Sequence, residues 1–147
     1  CLLLEVRVSM TPPSLQLQGL ASAALERAWM ERLEQFGHAQ SWSALQLHQM
    51  QLVVEEWMQN LLTHALRPDA PLHAQLQLVE QLTTWTITLC DNGPEFDPLT
   101  GPPPRLDREL DELEPGGWGL HLMRSIPSTS RYERQNGLNC LTLEFKK

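Results

Sequence analysis

Three groups of polar or glycine residues in this chain have the types and spacing that chemistry requires. In the first, Glu56 and Asn60 stand four positions apart, so on a helix they share one face. A carboxylate there can orient or deprotonate a nucleophile, and an amide oxygen is a hard ligand suited to Mg²⁺. For an isolated pair, an ordinary polar helix face is the competing interpretation. His64 extends the row, either as an outer partner or as an exposed side chain.

The second group is Asp91 and Gly93, which follow a run of β-branched and aromatic residues, Trp85 to Cys90. Such a run predicts a buried strand. Burying a carboxylate at the end of that strand is costly unless a hydrogen-bond donor reaches it. Asp91 therefore needs either a structural donor or a ligand that brings one. The alternative is a solvated turn in which the aspartate caps its own backbone.

The third group is the glycine turn Gly116-Gly117-Trp118-Gly119, which precedes a predicted short helix at 120–126. Glycines let a backbone approach an anion closely, and the first N–H groups of a helix point at it unpaired. Taken alone, such a turn is weak evidence for an anion site.

The charge distribution limits what these groups can bind. The only lysines are Lys146 and Lys147, so the lysine that a P-loop requires after its glycines is missing. A phosphate would have to be met by backbone amides, Mg²⁺ and an arginine, for which Arg105, Arg108 and Arg124 are candidates. The formal net charge of −7 argues against non-specific binding to nucleic acid, which needs a basic face.

The hydrophobic pattern predicts the elements that position these groups. In chain order they are a strand at 4–9, a helix at about 17–36 stopped by Gly37, a helix at about 43–66, a hairpin of 74–80 and 83–90, a proline-rich loop at 92–117, the short helix, and a hairpin of 131–135 and 138–145 turned by Asn136-Gly137. This order favours a two-layer α/β sandwich with a mostly antiparallel sheet. The chain of 147 residues suits one domain.

The cysteines predict the compartment. Cys1, Cys90 and Cys140 show neither metal-ligand spacing nor an even disulfide framework. Because Cys90 and Cys140 stand in apolar runs, we expect small buried thiols in a reducing compartment, the cytoplasm. No apolar run approaches the length needed to span a membrane. The sequence begins at Cys1 rather than methionine and leaves open whether other domains precede it.

The order of the three groups resembles the nucleotide-binding boxes of the GHKL ATPases. Within that superfamily the chain resembles the bacterial anti-sigma factor and serine-protein kinase group (RsbW and SpoIIAB type). The segments that carry the resemblance are Val54–Ala65, Asp91–Pro98, Gly116–Met123 and the final hairpin. It spans nearly the whole chain, and Phe96-Asp97-Pro98 is fairly particular to this group.

The resemblance implies a fold and a set of roles. The fold would be the α+β ATP-binding (Bergerat) fold, a mostly antiparallel mixed sheet covered on one face by three helices, as one HATPase-like domain over 1–147. Asn60 would coordinate Mg²⁺, Glu56 would be the general base toward a serine hydroxyl, and Asp91 would accept a hydrogen bond from the adenine amino group.

Other positions follow from the same resemblance. Gly93 would let the base pack closely, residues 94–116 would form the ATP lid, and Thr142 would lie near the adenine pocket. The other positions carried over as nucleotide-binding are His64, Phe96, Arg105, Gly116, Gly117, Trp118, Gly119 and Leu120, with Gly117 and Gly119 binding phosphate through their N–H groups. Trp118 departs from the family, where arginine or another polar residue is frequent, so the charge partner of the transferred phosphate is unidentified.

The function implied is that of an ATP- and Mg²⁺-dependent serine/threonine-protein kinase acting as an anti-sigma factor. It would phosphorylate a STAS-type anti-anti-sigma partner and sequester a sigma factor by partner switching, as a homodimer without direct contact with nucleic acid or membrane. The alternative is a nucleotide-binding regulatory module that sequesters its partner without phosphotransfer. A sensor histidine kinase catalytic domain ranks below both, because the sequence shows no helical phospho-acceptor segment upstream.

Overall fold

The computed structural model describes residues 11–100 and 123–147. Within them the elements are β1 (Ser14–Leu20), α1 (Ala23–Ala39), α2 (Ala44–His64), β2 (His73–Glu80), β3 (Thr84–Asp91), β4 (Thr129–Gln135) and β5 (Leu138–Lys146). The strand predicted at 4–9, the glycine turn and most of the predicted lid lie outside these residues.

The five strands form one sheet in the order β1-β2-β3-β5-β4, and every pairing between them is antiparallel. Alternate strand residues are buried, as the period of two requires. The buried face carries Leu76, Leu78, Ile87, Leu89, Leu141 and Leu143, which pack with residues of both helices in one core. The opposite face carries glutamine, threonine and cysteine side chains. The predicted two-layer α+β architecture is confirmed, with no parallel pairing between the strands described.

Helix α2 begins and packs as its sequence predicts. Its N-cap is Ser43, which accepts a hydrogen bond from the Gln46 N–H while the Gln46 side chain accepts one from the Ser43 N–H. This reciprocal capping satisfies two N–H groups that the first turn would otherwise leave unpaired. The buried stripe of α2 is Met50, Val53, Val54, Trp57, Met58 and Leu61. Neither α2 nor any other described helix is long and apolar enough to cross a membrane.

The first helix was predicted to begin near Leu17, and this is wrong. Residues 14–20 form β1, in which Leu15 is buried and Leu17 is half-buried while Gln16 and Gln18 are exposed. The backbone pairing with β2 therefore decides the conformation of this segment over its helix-like spacing of leucines. Helix α1 begins only after Ser22, whose hydroxyl caps the Leu25 N–H.

Gly37 does not stop α1, which continues to Ala39. A Cβ at Gly37 would lie 2.8 Å from Cε3 of Trp42 and 3.2 Å from Cδ1 of Leu47. Gly37 therefore lets the chain after α1 fold closely back on the helix. The two helices also meet through Trp29 and Trp57, whose rings stack with centroids 6.2 Å apart. Such an aromatic pair contributes about 0.5–1.5 kcal/mol beyond the burial of its surface.

The final hairpin is confirmed. Strands β4 and β5 pair from Thr129↔Glu144 to Gln135↔Leu138. Asn136 and Gly137 form the turn with φ values of 52° and 78°. Both residues adopt positive φ, as the two-residue hairpin turn that follows the twist of the strands requires. Residues 123–125 are helical, and Met123 is buried in the same core, so this part of the predicted short helix is observed.

Candidate nucleotide-binding site

A cavity of about 160 Å³ lies between the last turns of α2, the ends of β3 and β5, and the segment that follows β3. Its walls are largely apolar, with a few polar side chains that converge on it. Its lining residues are Trp57, Asn60, Leu61, His64, Ala65, Arg67, Leu89, Asp91, Pro94, Glu95, Phe96, Pro98, Tyr132, Asn139 and Leu141. A mostly apolar cleft with a few placed polar groups is the usual form of a small-molecule site.

Asp91 provides the buried polar group of this cavity. It is only 5% exposed. Its Oδ1 accepts hydrogen bonds from the Gly93 N–H at 2.9 Å and from Nδ2 of Asn139 at 3.0 Å. Among the residues that the structure describes, both donors to this carboxylate reach the same oxygen. Oδ2 is therefore available to accept a hydrogen bond from a ligand in the cavity.

The pKa of the Asp91 carboxyl is raised above its ordinary value. Burial is the largest cause, because it penalises the charged form. The hydrogen bonds from Asn139 and Gly93 and the charge of Arg134 lower the pKa, but less than burial raises it. The neighbours of Asp91 thus offset only part of the cost of burying its charge, and a further donor from a ligand would complete its hydrogen bonding.

Asn139 is a site residue that the sequence reasoning missed. It stands opposite Asp91 in the β3–β5 register and is 6% exposed. Its Nδ2 also donates to the Pro94 carbonyl at 2.8 Å, and its Oδ1 accepts from the Phe96 N–H at 3.1 Å and the Tyr132 hydroxyl at 2.6 Å. The sequence did contain a signal for it. Asn139 stands two residues before Leu141 and four before Leu143, so its amide shares the buried face of β5 with these leucines.

Two neighbours complete this network. The Nη1 of Arg134 donates to the Gly93 carbonyl at 2.9 Å, and this hydrogen bond holds Gly93 against β4. Burial raises the pKa of the Tyr132 phenol, and the charge of Glu95 adds to the effect. The phenol therefore stays protonated and keeps donating to Asn139 across the neutral range.

Gly93 lies where a side chain would disturb Asp91. A Cβ there would come within 2.9 Å of the Asp91 Oδ1, 3.2 Å of the Ala65 Cβ and 3.3 Å of the Leu72 Cδ1. Glycine therefore lets the segment after β3 pack against the end of α2 while it donates its N–H to the carboxylate. That Gly93 lets a base pack closely, as the resemblance implied, stays a prediction.

The predicted polar row of α2 is only partly in the cavity. Asn60 and His64 line it, Asn60 half-buried and His64 exposed. Glu56 lies one turn before Asn60, half-buried and outside the lining. Arg67, just beyond the helix, also lines the cavity and was missed, because nothing in its sequence context distinguishes it from a surface arginine.

Glu56 belongs to a group of carboxylates between α1 and α2. Burial raises the pKa of the Glu56 carboxyl, and the neighbouring charge of Glu55 raises it further. Burial likewise raises the pKa of Glu26 on α1, although a 2.6 Å hydrogen bond from Nε2 of Gln59 opposes the shift. A carboxyl whose pKa is moved toward neutrality is a better general base than an ordinary one.

Thr142 does not lie near this cavity, so that prediction is corrected. It pairs with Thr88 in the sheet register, on the face turned away from the helices, whereas Leu141 lines the cavity. Successive residues of a strand point to opposite faces, so Thr142 and Asp91 are on opposite sides of the sheet.

The cysteine prediction is also corrected. Cys90 and Cys140 are not separate buried thiols but a disulfide, half-exposed on that same outward face. Phe96, which was predicted to bind nucleotide, lines the cavity. The remaining predicted site residues, Arg105, Gly116, Gly117, Trp118, Gly119 and Leu120, lie outside the described residues.

The donor set fits a magnesium ion that takes most of its ligands from elsewhere. The described residues contain no group of three or more His, Cys, Asp or Glu that could hold a metal ion. The Asn60 side chain makes no hydrogen bond with other described residues, so its amide oxygen is free to act as a ligand. Mg²⁺ characteristically binds through one or two protein oxygens together with phosphates and water.

Comparison with known proteins gives consistent results. Residues 20–145 match the model of the histidine kinase-like ATPase domain. The chain is 33% identical over 130 residues to the serine/threonine-protein kinase BtrW of Bordetella bronchiseptica, covering 88% of this chain and 90% of that protein.

The fold is similar to a solved structure, that of the RsbU and RsbW domains of Rv1364c from Mycobacterium tuberculosis. The TM-score is 0.62 at 15% identity, over 91% of this chain. The chain spans about a third of that longer protein, with 32% of it covered. The solved structure agrees in fold, and the matched domain model and the 33% identity to BtrW show that the chain belongs to the histidine kinase-like ATPase domain family.

Proposed function

We propose that the protein binds ATP with the adenine in the cavity at Asp91. The observation that carries this proposal is the buried carboxylate of Asp91, which lines a largely apolar cavity and whose two described donors both reach Oδ1, leaving Oδ2 for a ligand. An adenine supplies the amino donor that this oxygen needs and the flat apolar surface that Leu89 and Leu141 can cover. Phe96, on the rim and 45% exposed, is available to pack over the base.

The direction of the nucleotide follows from the order of side chains along α2. Ala65, just after α2, lies close to Asp91, since a Cβ on Gly93 would contact both residues; Asn60 comes more than one turn earlier, and Glu56 one turn earlier again. Each step of four residues is roughly 6 Å along a helix axis. A nucleotide with its base at Asp91 would extend its phosphates toward Asn60 and Glu56. In this orientation Glu56 would act at the phosphate end of the ligand, which agrees with its position outside the base cavity.

Mg²⁺ would be held by the amide oxygen of Asn60 together with phosphate oxygens. Bound there, the ion would neutralise phosphate charge, which the chain does not meet with a lysine in this region. Arg105 and the N–H groups of Gly117 and Gly119 are proposed as further phosphate contacts.

We propose further that the protein transfers the γ-phosphate to a serine or threonine of a protein partner. The partner's hydroxyl oxygen forms a bond to the γ-phosphorus, and the bond from that phosphorus to the β,γ-bridging oxygen breaks. Glu56 takes the hydroxyl proton, and ADP leaves with the bridging electron pair. The similarity to a serine/threonine-protein kinase and the raised pKa of Glu56 support this assignment.

The partner and the assembly are proposed from the family group. The substrate would be a STAS-type anti-anti-sigma protein, and the unphosphorylated partner and a sigma factor would compete for the kinase. Residues 1–147 would form one domain that acts as a homodimer, with 94–116 as its ATP lid. Near the start of that segment Asp97 forms a turn, because its carboxylate accepts a hydrogen bond from the Leu99 N–H at 2.8 Å.

The direct test is transfer of label from γ-labelled ATP to a STAS-domain protein in the presence of Mg²⁺. We expect Glu56→Gln to lower the labelling rate by about 10²-fold or more, as loss of a general base does. Glu31→Gln is the control, because Glu31 is an exposed glutamate of α1 and is not among the groups that shift the pKa of Glu56. It should label the partner at close to the wild-type rate.

The outcomes separate the two functions considered. Wild-type protein that binds ATP but labels no STAS partner would indicate the regulatory module without phosphotransfer. Equal labelling by Glu56→Gln and the wild type would remove Glu56 as the base while leaving the kinase intact.

A further inference from the structure

The disulfide joins the two strands that carry the polar pair of the cavity. Cys90 of β3 and Cys140 of β5 stand directly opposite each other, with their Cα atoms 4.2 Å apart. The next pair in the same register is Asp91↔Asn139. Because side chains alternate between faces, the disulfide lies on the outward face and the carboxylate–amide pair on the inward face. The covalent link is therefore directly adjacent in both strands to the polar pair of the cavity.

The separation of these strands affects the cavity through Asn139. The 3.0 Å hydrogen bond from its Nδ2 to Asp91 spans the same gap that the disulfide closes. The same amide group bonds the Pro94 carbonyl, the Phe96 N–H and the Tyr132 hydroxyl. A change of spacing between β3 and β5 would therefore move the carboxylate, the segment after β3 and β4 relative to one another.

Both cysteines of the disulfide are partly exposed. Cys90 and Cys140 are half-exposed on the face that neither helix covers. Cys90 lines a shallow groove of that face with Gln18, Gln75 and Thr88 among its walls. Polar neighbours and open access favour exchange with small thiols, whereas cysteines sealed in a core are inert.

We propose that Cys90 and Cys140 form a reversible thiol–disulfide site that sets the affinity of the cavity for nucleotide. This inference deepens the proposed nucleotide binding and rests on it. On oxidation the two thiols lose two electrons and two protons as one S–S bond forms. Glutathione disulfide accepts these electrons and protons and becomes two glutathione thiols. A dithiol reductant reverses the reaction and becomes a cyclic disulfide.

The oxidised state is the tighter-binding one. The covalent link restricts the spacing of β3 and β5 before the nucleotide arrives, so less ordering is left to the binding step. Preorganisation of this kind increases affinity by lowering the cost of binding. In the reduced state the two strands remain paired by backbone hydrogen bonds, and binding is weakened without being abolished.

The first experiment tests the covalent chemistry without nucleotide. The full chain is incubated with glutathione disulfide or with dithiothreitol, then denatured and alkylated with iodoacetamide. Its mass is then measured by mass spectrometry. After oxidation we expect Cys90 and Cys140 to carry neither an alkyl group nor glutathione, whether or not Cys1 takes up one glutathione, and after reduction we expect all three cysteines to be alkylated. Alkylation of all three after oxidation would overturn the inference.

The second experiment tests the coupling by titrating ATP into oxidised and reduced wild-type protein. The temperature is kept well below unfolding in both states, so global stability does not enter the affinity. We expect reduction to weaken ATP binding by about threefold to tenfold. Cys90→Ser/Cys140→Ser should bind as the reduced wild type does in either buffer, and Cys1→Ser should keep the redox dependence.

Reduced wild-type protein carries no substitution, so the comparison holds even if the double variant folds poorly. Equal affinity in the oxidised and reduced states would overturn the coupling and leave the proposed function standing. A redox dependence that persists in the double variant would also overturn it. Absence of ATP binding in both states would overturn the coupling and the proposed function together.

Discussion

Asp91 shows how a carboxylate is kept in an apolar cavity at a cost to the fold. The burial that raises its pKa opposes ionisation, and the donors from Gly93 and Asn139 offset only part of that effect. A side chain chosen for stability alone would not leave one oxygen without a donor among the described residues. The geometry is instead that of a residue whose hydrogen bonding is completed by a ligand.

Asp91→Asn should therefore separate stability from binding. Asparagine can present its carbonyl oxygen to Gly93 and Asn139, so the internal hydrogen bonds remain and the buried charge is removed. Because the folded pKa of Asp91 is raised above 3.8, its protonation favours the folded state. That contribution is present below the unfolded pKa and is lost as pH rises through the folded pKa.

The expected result is that Asp91→Asn is at least as stable as the wild type at pH 7. Any advantage should shrink as the pH falls through the raised pKa of Asp91, because the wild-type carboxyl then becomes neutral as well. Denaturant unfolding of both proteins at neutral and acidic pH measures this. A loss of more than about 2 kcal/mol at pH 7 would show that the carboxylate stabilises the fold.

At the level of strands and helices, the site is built by strand pairing and one helix end. Strand β3 brings Asp91, β5 brings Asn139, β4 brings Tyr132 and Arg134, and α2 brings Asn60. Asn139 joins three of these parts with one amide group. A single side chain in β5 therefore fixes both the carboxylate and the segment that leads into the predicted lid.

Asn139→Leu tests this connection. Leucine is of similar size but cannot bond Asp91, Pro94, Phe96 or Tyr132. Leaving buried polar groups without partners costs about 1–3 kcal/mol for each group. We expect a loss of stability of about this size and ATP binding weaker by about tenfold or more, measured by denaturant unfolding and calorimetric titration.

Thr142→Val is the matched control for this variant. It also replaces a polar side chain of β5 by an apolar one of similar size, but on the outward face. We expect ATP affinity close to that of the wild type. An effect on affinity as large as that of Asn139→Leu would return Thr142 to the site and contradict the face assignment.

At the scale of the whole molecule, local sequence patterns predicted most helices and strands, and pairing between distant segments decided the rest. The α2 stripe, both hairpins and the Asn136-Gly137 turn are local signals, and the structure confirms them. The start of α1 could not be read locally, because β1 becomes a strand only by pairing with β2, more than fifty residues along the chain.

The site divides in the same way. Asp91, Asn60 and His64 follow from motif spacing and meet in the cavity as expected. Asn139 and the disulfide depend on the register of β5 against β3, which a single sequence does not state. Register also explains the error at Thr142, since a shift of one residue moves a side chain to the other face.

In the proposed site, the cavity recognises adenine through the Oδ2 of Asp91. Calorimetric titration of wild-type protein and Asp91→Asn with ATP and with GTP, each with Mg²⁺, tests it most directly. Guanine presents a carbonyl where adenine presents its amino group, so the carboxylate should reject it. We predict that wild-type protein binds ATP at least about tenfold more tightly than GTP and that Asp91→Asn loses this preference together with most of its ATP affinity. Equal binding of ATP and GTP by the wild type, or unchanged ATP binding by Asp91→Asn, would contradict the account.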